Sequence, residues 1–138
     1  MVRITEYQEG DVVHVLDAGL ERVGMVTDIT RVDNMICVDN GIQELWFAPE
    51  EVVPVPLTED QLINTLGFEK EETPEGNKYK KGPFRVVVHD PGNYTDLEIW
   101  YREDHRHFHH PLYVHELQNH HLAMTKVPLE ATIEPKTS

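Results

Sequence analysis

Asn40-Gly41, set between the apolar runs MICVD and IQELWFA, is the tightest constraint on how this chain folds. An Asn-Gly pair tolerates left-handed backbone, so between two such runs it reads as the turn of a β-hairpin. The neighbouring segments continue the pattern. GDVVHVLD (10–17), RVGMVTDITRVD (22–33), MICVDNG (35–41), IQELWFA (42–48) and EEVVPVP (50–56) are short and rich in β-branched residues. Pro54 and Pro56 lack an N–H, which confines the last of them to a sheet edge or strand end. Short strands joined by tight turns predict an SH3-like small β-barrel over residues 1–56.

A helix–antiparallel strands–helix module is expected over residues 57–126, which makes the chain α+β. Thr58 suits an N-cap, Gln61 completes a capping box, and Gly67 suits the stop of a short first helix. EKEETPEGNK (69–78) is charged throughout and reads as a turn region. KYKKGPFRVVVHD (78–90) reads as a hairpin about Gly82-Pro83, and PGNYTD (91–96) as another turn. In LEIWYRE (97–103), Leu97, Ile99 and Tyr101 share one face, with Glu98, Trp100 and Arg102 on the other. PLYVHELQNHHLAMTK (111–126) reads as the second helix. Tyr113, Val114, Leu117, His121 and Met124 should face the sheet, leaving His115, Gln118, Asn119 and Leu122 as a second stripe. Residues 127–138 read as a C-terminal tail.

Twenty-five acidic against twelve basic residues give a net charge of −13. That balance repels phosphate backbones and argues against general nucleic-acid binding. It leaves room for the opposite role, an acidic surface imitating nucleic acid. Cys37 is the single cysteine and fits a buried apolar position in a strand. The start of the chain lacks the pattern of a signal peptide, and no apolar stretch reaches membrane-spanning length. A soluble protein of the cytoplasm is expected.

Seven of the nine histidines fall between Arg102 and His121, in REDHRHFHHPLYVHELQNHH. Extended backbone would place His105, His107 and His109 on one face, the arrangement a zinc-type ion requires. The helix offers no second pair, because Asn119 stands four residues after His115. The same region can instead recognise an anion carrying a ring. Arg102 and Arg106 would grip phosphate or carboxylate, while Trp100 and Tyr101 offer flat surfaces to a base. His105, His107, His115 and Asn119 would complete that ligand-binding set. No Gly-rich phosphate loop, nucleophile elbow or activated cysteine is present, so binding without catalysis is expected, with no cofactor.

The segments PVPLTEDQLINTLGFEK and YVHELQNHHLAMT carry a resemblance. Through Pro54, Pro56, Leu57, Thr58, Glu59, Leu62, Gly67, Phe68 and Glu69, the chain resembles a family of small proteins of Bacteroidetes, their phages and mobile elements. The likeness resumes at Tyr113, Val114, His115, Leu117, Gln118, Asn119, Ala123 and Thr125, with Met124 for a leucine. His120, His121 and Lys126 depart from the family pattern, so only His115 among the clustered histidines belongs to it. No activity is established for the family, so the resemblance implies an origin rather than a list of catalytic residues. It suggests an anti-defence role: sequestering a small nucleotide-type immune signal of the host by mass action, in a homo-oligomer. The alternatives are a protein-interaction module or nucleic-acid mimic acting on a host protein, and a metal-dependent hydrolase built on the histidine cluster.

Overall fold

The computed structural model describes residues 7–17 and 20–131, which form two compact units, the first ending at Val55 and the second beginning at Pro56. The first unit is an antiparallel sheet of β1 (Val12–Asp17), β2 (Leu20–Thr30), β3 (Met35–Asp39), β4 (Glu44–Phe47) and β5 (Val52–Pro54), in the order β4-β3-β2-β1-β5. Alternation along the strands turns Val13, Val15, Val26, Ile36, Val38, Phe47 and Val52 into one buried cluster with Tyr7. Burying each such aliphatic side chain contributes about 1.5–3 kcal/mol. Trp46 and Phe47 point opposite ways, as neighbours in a strand must: Phe47 is buried and Trp46 is exposed. Cys37 is buried in β3.

The Asn40-Gly41 turn forms, with four residues between β3 and β4. Asn40 folds its side-chain oxygen back to accept from the N–H groups of Ile42 and Gln43, at 2.9 and 3.0 Å. Gly41 takes the left-handed backbone, φ 90°.

The barrel expected over residues 1–56 does not close. Among the described residues no ladder joins β4 to β5, and the sheet stays open with these two short strands as its edges. A 3-10 turn over Pro49–Glu51 carries the chain from one edge to the other, and Pro54 brings no N–H to a further pairing.

The second unit is a meander of β6 (Glu69–Thr73), β7 (Gly76–Lys81), β8 (Phe84–Asp90), β9 (Asn93–Tyr101) and β10 (Asp104–Phe108), followed by α1 (Val114–Thr125). The helix–strands–helix expectation fails at its first element. Thr58 does cap, accepting from Gln61 N–H at 3.3 Å, but the turn widens so that Leu66 N–H bonds Gln61 O five residues back. Gly67, at φ 76°, ends it. What remains is one widened turn, Gln61–Thr65, seating Leu62 and Leu66 in the core. Among the described residues the fold is therefore mostly β, with two five-stranded antiparallel sheets and one helix following the last strand.

The charged stretch read as a turn region supplies β6. It is an edge strand, where charge is tolerated and discourages pairing with other chains. Register sets Glu69 opposite Lys80 and Glu71 opposite Lys78, and Glu71 closes an ion pair with Lys80 at 2.5 Å.

One face of this second sheet is buried. Tyr79, Phe84, Val86, Val88, Leu97 and Ile99 are all at most 1% exposed. From α1, the His121 ring meets Phe84 edge-on at 4.6 Å. Its Nδ1–H donates to Val127 O at 2.8 Å, and burial holds the imidazole below its ordinary pKa. The helix departs from its expected faces. Tyr113 is exposed, whereas His115 and Gln118 are buried beside Val114, Leu117 and His121. The segment after the helix explains this: Leu129 is buried, and its carbonyl accepts from Gln118 Nε2 at 3.1 Å.

Candidate functional site: the open face of the second sheet

Because strand side chains alternate, everything pointing away from the buried face of β7–β10 meets on the other side. Register arranges it in rows: Arg85, Trp100 and His105 in one, Val87, Glu98 and His107 in the next. His89, Asp96 and His109 lie beyond, toward the hairpin end.

In the first row His105 lies flat on Trp100, with ring centroids 4.3 Å apart and planes 15° apart. The Arg85 guanidinium stands 5.6 Å from the centre of the same indole. Below Arg85 a shallow cleft of about 210 Å3 opens, lined by Glu75, Lys78, Arg85, Val87, Glu98 and Trp100. Two cations, Lys78 and Arg85, thus share a small concavity with two carboxylates, Glu75 and Glu98, and an aromatic edge.

The hairpin end is built by the turn Asp90-Pro91-Gly92-Asn93. Pro91 and Gly92, the latter at φ 84°, match the turn that takes proline then glycine at its centre. The β8–β9 ladder slips between Val88 and Asp90: His89 of β8 stands against three residues of β9, Tyr94, Thr95 and Asp96, so the bulge belongs to β9. His89 is exposed, and its Nε2 donates to Glu98 Oε2 at 2.6 Å. Across β9, His107 Nε2 donates to Asp96 Oδ1 at 2.5 Å, and His109 Nδ1 lies 4.0 Å from the same oxygen. The hydrogen bond from His107 holds the Asp96 carboxyl below the ordinary carboxylate range. One ligand atom from each of His89, Asp96 and His107 falls within 4.8 Å of the others.

The backbone of β8 at Val88 and His89 depends on Gly76, which is buried at the start of β7. A Cβ at this position would collide with the carbonyl oxygens of Val88 and His89.

The residues singled out from sequence separate into groups. Trp100, His105 and His107 share the open face. Arg106, between two of them on β10, points the other way, and its guanidinium donates to His120 Nδ1 at 2.6 Å. Burial first, and Arg106 second, hold His120 below its ordinary pKa. Arg102 sits in the β9–β10 turn at φ 59° with its guanidinium over the Tyr101 ring, 5.2 Å from the centroid. His115 is buried in α1, and Asn119 is half-buried on the same helix. The metal set of His105, His107 and His109 is divided: His105 belongs with Trp100, while His107 and His109 approach Asp96. Sequence reasoning missed Lys78, Arg85, His89, Asp96 and Glu98. The alternation of Asp96, Glu98 and Trp100 along β9, with the Pro91-Gly92 turn folding His89 back beside them, was the available signal.

No helix among the described residues is long and apolar enough to cross a membrane. No family model matches the chain, and comparison with curated proteins and with solved structures finds no match either.

Proposed function

We propose that the protein captures a small flat anion of the nucleotide type on the open face of its second sheet and holds it without turnover. The observation that carries this is the parallel stack of His105 on Trp100, beside Arg85 and the Lys78-lined cleft. An exposed ring of the chain's own stacked on an indole marks a surface suited to a planar ligand. The ligand's ring replaces His105, and its anionic group meets Arg85 and Lys78. A cleft this small suits one ring and one anionic group rather than a large substrate.

Binding of this kind acts by mass action and needs a slow off-rate rather than a catalytic dyad. It fits sequestration of a host immune signal by a phage or mobile-element protein, the role the sequence resemblance suggests.

The test is native mass spectrometry of the untagged protein after incubation with a panel of mononucleotides and cyclic dinucleotides, followed by calorimetry on any retained compound. Saturable binding that Arg85→Ala and Lys78→Ala each weaken supports the reading. Retention of none of the panel, or binding indifferent to both substitutions, overturns it.

A further inference from the structure

We propose that His89, Asp96 and His107 form a binding site for a divalent transition-metal ion of the zinc class. The proposal is independent of the nucleotide reading, since it concerns different side chains of the open face and is tested with metal alone.

Three strands converge on the site. Alternation along β8 sets His89 on the same side as Arg85 and Val87, the bulged stretch of β9 brings up Asp96, and β10 supplies His107 on that side. Their ligand atoms lie within 4.8 Å of one another. Around a tetrahedral ion with bonds near 2.0–2.1 Å, donor atoms sit about 3.3 Å apart. Rotation of two exposed imidazoles closes that difference without moving the strands.

The donor set selects the ion. Two imidazole nitrogens and one carboxylate suit zinc, cobalt, nickel or iron(II), whereas magnesium and calcium require oxygen throughout. Each histidine already directs Nε2 at a carboxylate: His107 at Asp96, and His89 at Glu98. An ion at each nitrogen takes the place of that hydrogen bond, with the ring proton carried on the other nitrogen. His109, whose Nδ1 is 4.0 Å from Asp96 Oδ1, is positioned as a fourth ligand. Glu98 both lines the cleft and bonds His89 Nε2, so it borders the two sites.

His105 provides the control. It sits on the same strand and face as His107, yet it is stacked on Trp100 and belongs to a different row. A site made by histidine density alone would not distinguish the two; a site made by this geometry must.

The experiment is titration of the full chain, stripped of metal, with zinc by calorimetry, and with cobalt(II) by visible absorption as a readout of coordination. One ion per chain is expected, with a cobalt spectrum of imidazole and carboxylate coordination. His89→Ala and His107→Ala should each weaken zinc binding at least about tenfold, and Asp96→Asn comparably. His105→Ala should leave it within about twofold. All four positions are solvent-accessible or half-buried, and circular dichroism of each variant checks that the fold is kept. Absence of stoichiometric binding overturns the proposal, as does binding that survives the His89→Ala/His107→Ala double variant.

Discussion

The imidazole of His105 covers the indole of Trp100 at 4.3 Å and 15°, while Arg85 approaches the same ring from the neighbouring strand. Parallel aromatic pairs contribute about 0.5–1.5 kcal/mol, and an exposed pair belongs at the low end. A double-mutant cycle over His105→Ala and Trp100→Ala, measured by urea denaturation, should therefore return a coupling of about 0.5 kcal/mol. His105→Ala should also tighten binding of any nucleotide retained by the protein, because it removes the ring competing for Trp100. Weaker binding in that variant would mean that His105 holds the ligand rather than its place.

A second prediction concerns Asp11, which is 2% exposed and immediately precedes β1. Burial raises its carboxyl from 3.8 to about 7, against the opposing hydrogen bond from Gln8 N–H at 3.0 Å. In the unfolded chain the group loses its proton near the lower value, in the folded chain near the higher. Between these, unfolding releases a proton, so stability falls as pH rises from about 4 to about 7 and levels above. At 1.36 kcal/mol per unit, the upper limit of that loss is about 4 kcal/mol. Asp11→Asn keeps an acceptor for Gln8 and carries no charge. It should match the parent near pH 4 and exceed it at about pH 8 in denaturation midpoint. Equal midpoints at the higher pH would show that the folded state already accommodates the carboxylate.

Tyr79 offers a third test. Its hydroxyl is buried and donates to Glu59 Oε1 at 2.8 Å, and Glu59 also receives Lys70 Nζ at 2.7 Å. Burial first, then the neighbouring Tyr94 and Glu59, raise the phenol far above its ordinary pKa, so it remains a donor throughout the working pH range. Tyr79→Phe should lower stability by about 1–2 kcal/mol, with Glu59 still satisfied by Lys70. Native-state hydrogen exchange should show the loss in β6 and β7, the strands that Tyr79 and Lys70 join. Unchanged exchange there would remove the network from the account of the fold.

Gly24 stands in β2 opposite Val13, and a Cβ on it would collide with the Val38 side chain. Gly24→Ala should cost about 1–3 kcal/mol in thermal or urea unfolding. A neutral result would require β3 to give way, visible as altered exchange at Val38.

Much of the strand plan was legible because turns and alternation are local signals. Gly82-Pro83 and Pro91-Gly92 each sit between paired strands, and Leu97 and Ile99 are buried while Glu98 and Trp100 are not. β6 escaped because its five residues, EKEET, carry no apolar pattern; their strand character comes from Lys78 and Lys80 across the ladder. Barrel closure was over-read, since it depends on whether β4 and β5 meet, and nothing local to either strand decides that. Arg106 is close to His105 and His107 along the chain, but period two turns it to the other side of β10, toward His120. His89 lies far from His107 along the chain and meets it only through the register of β8, β9 and β10, which density of histidine could not reveal.

Gly76 carries a final consequence. It has no functional group, yet its missing Cβ leaves room for the backbone carbonyls of Val88 and His89. The precision of the histidine cluster is thus delegated to a residue whose contribution is empty space. An added methyl group there would misalign the imidazole from behind, with every ligand side chain still in the sequence. A homologue that kept His89, Asp96 and His107 but replaced Gly76 would look competent and be unable to close on an ion.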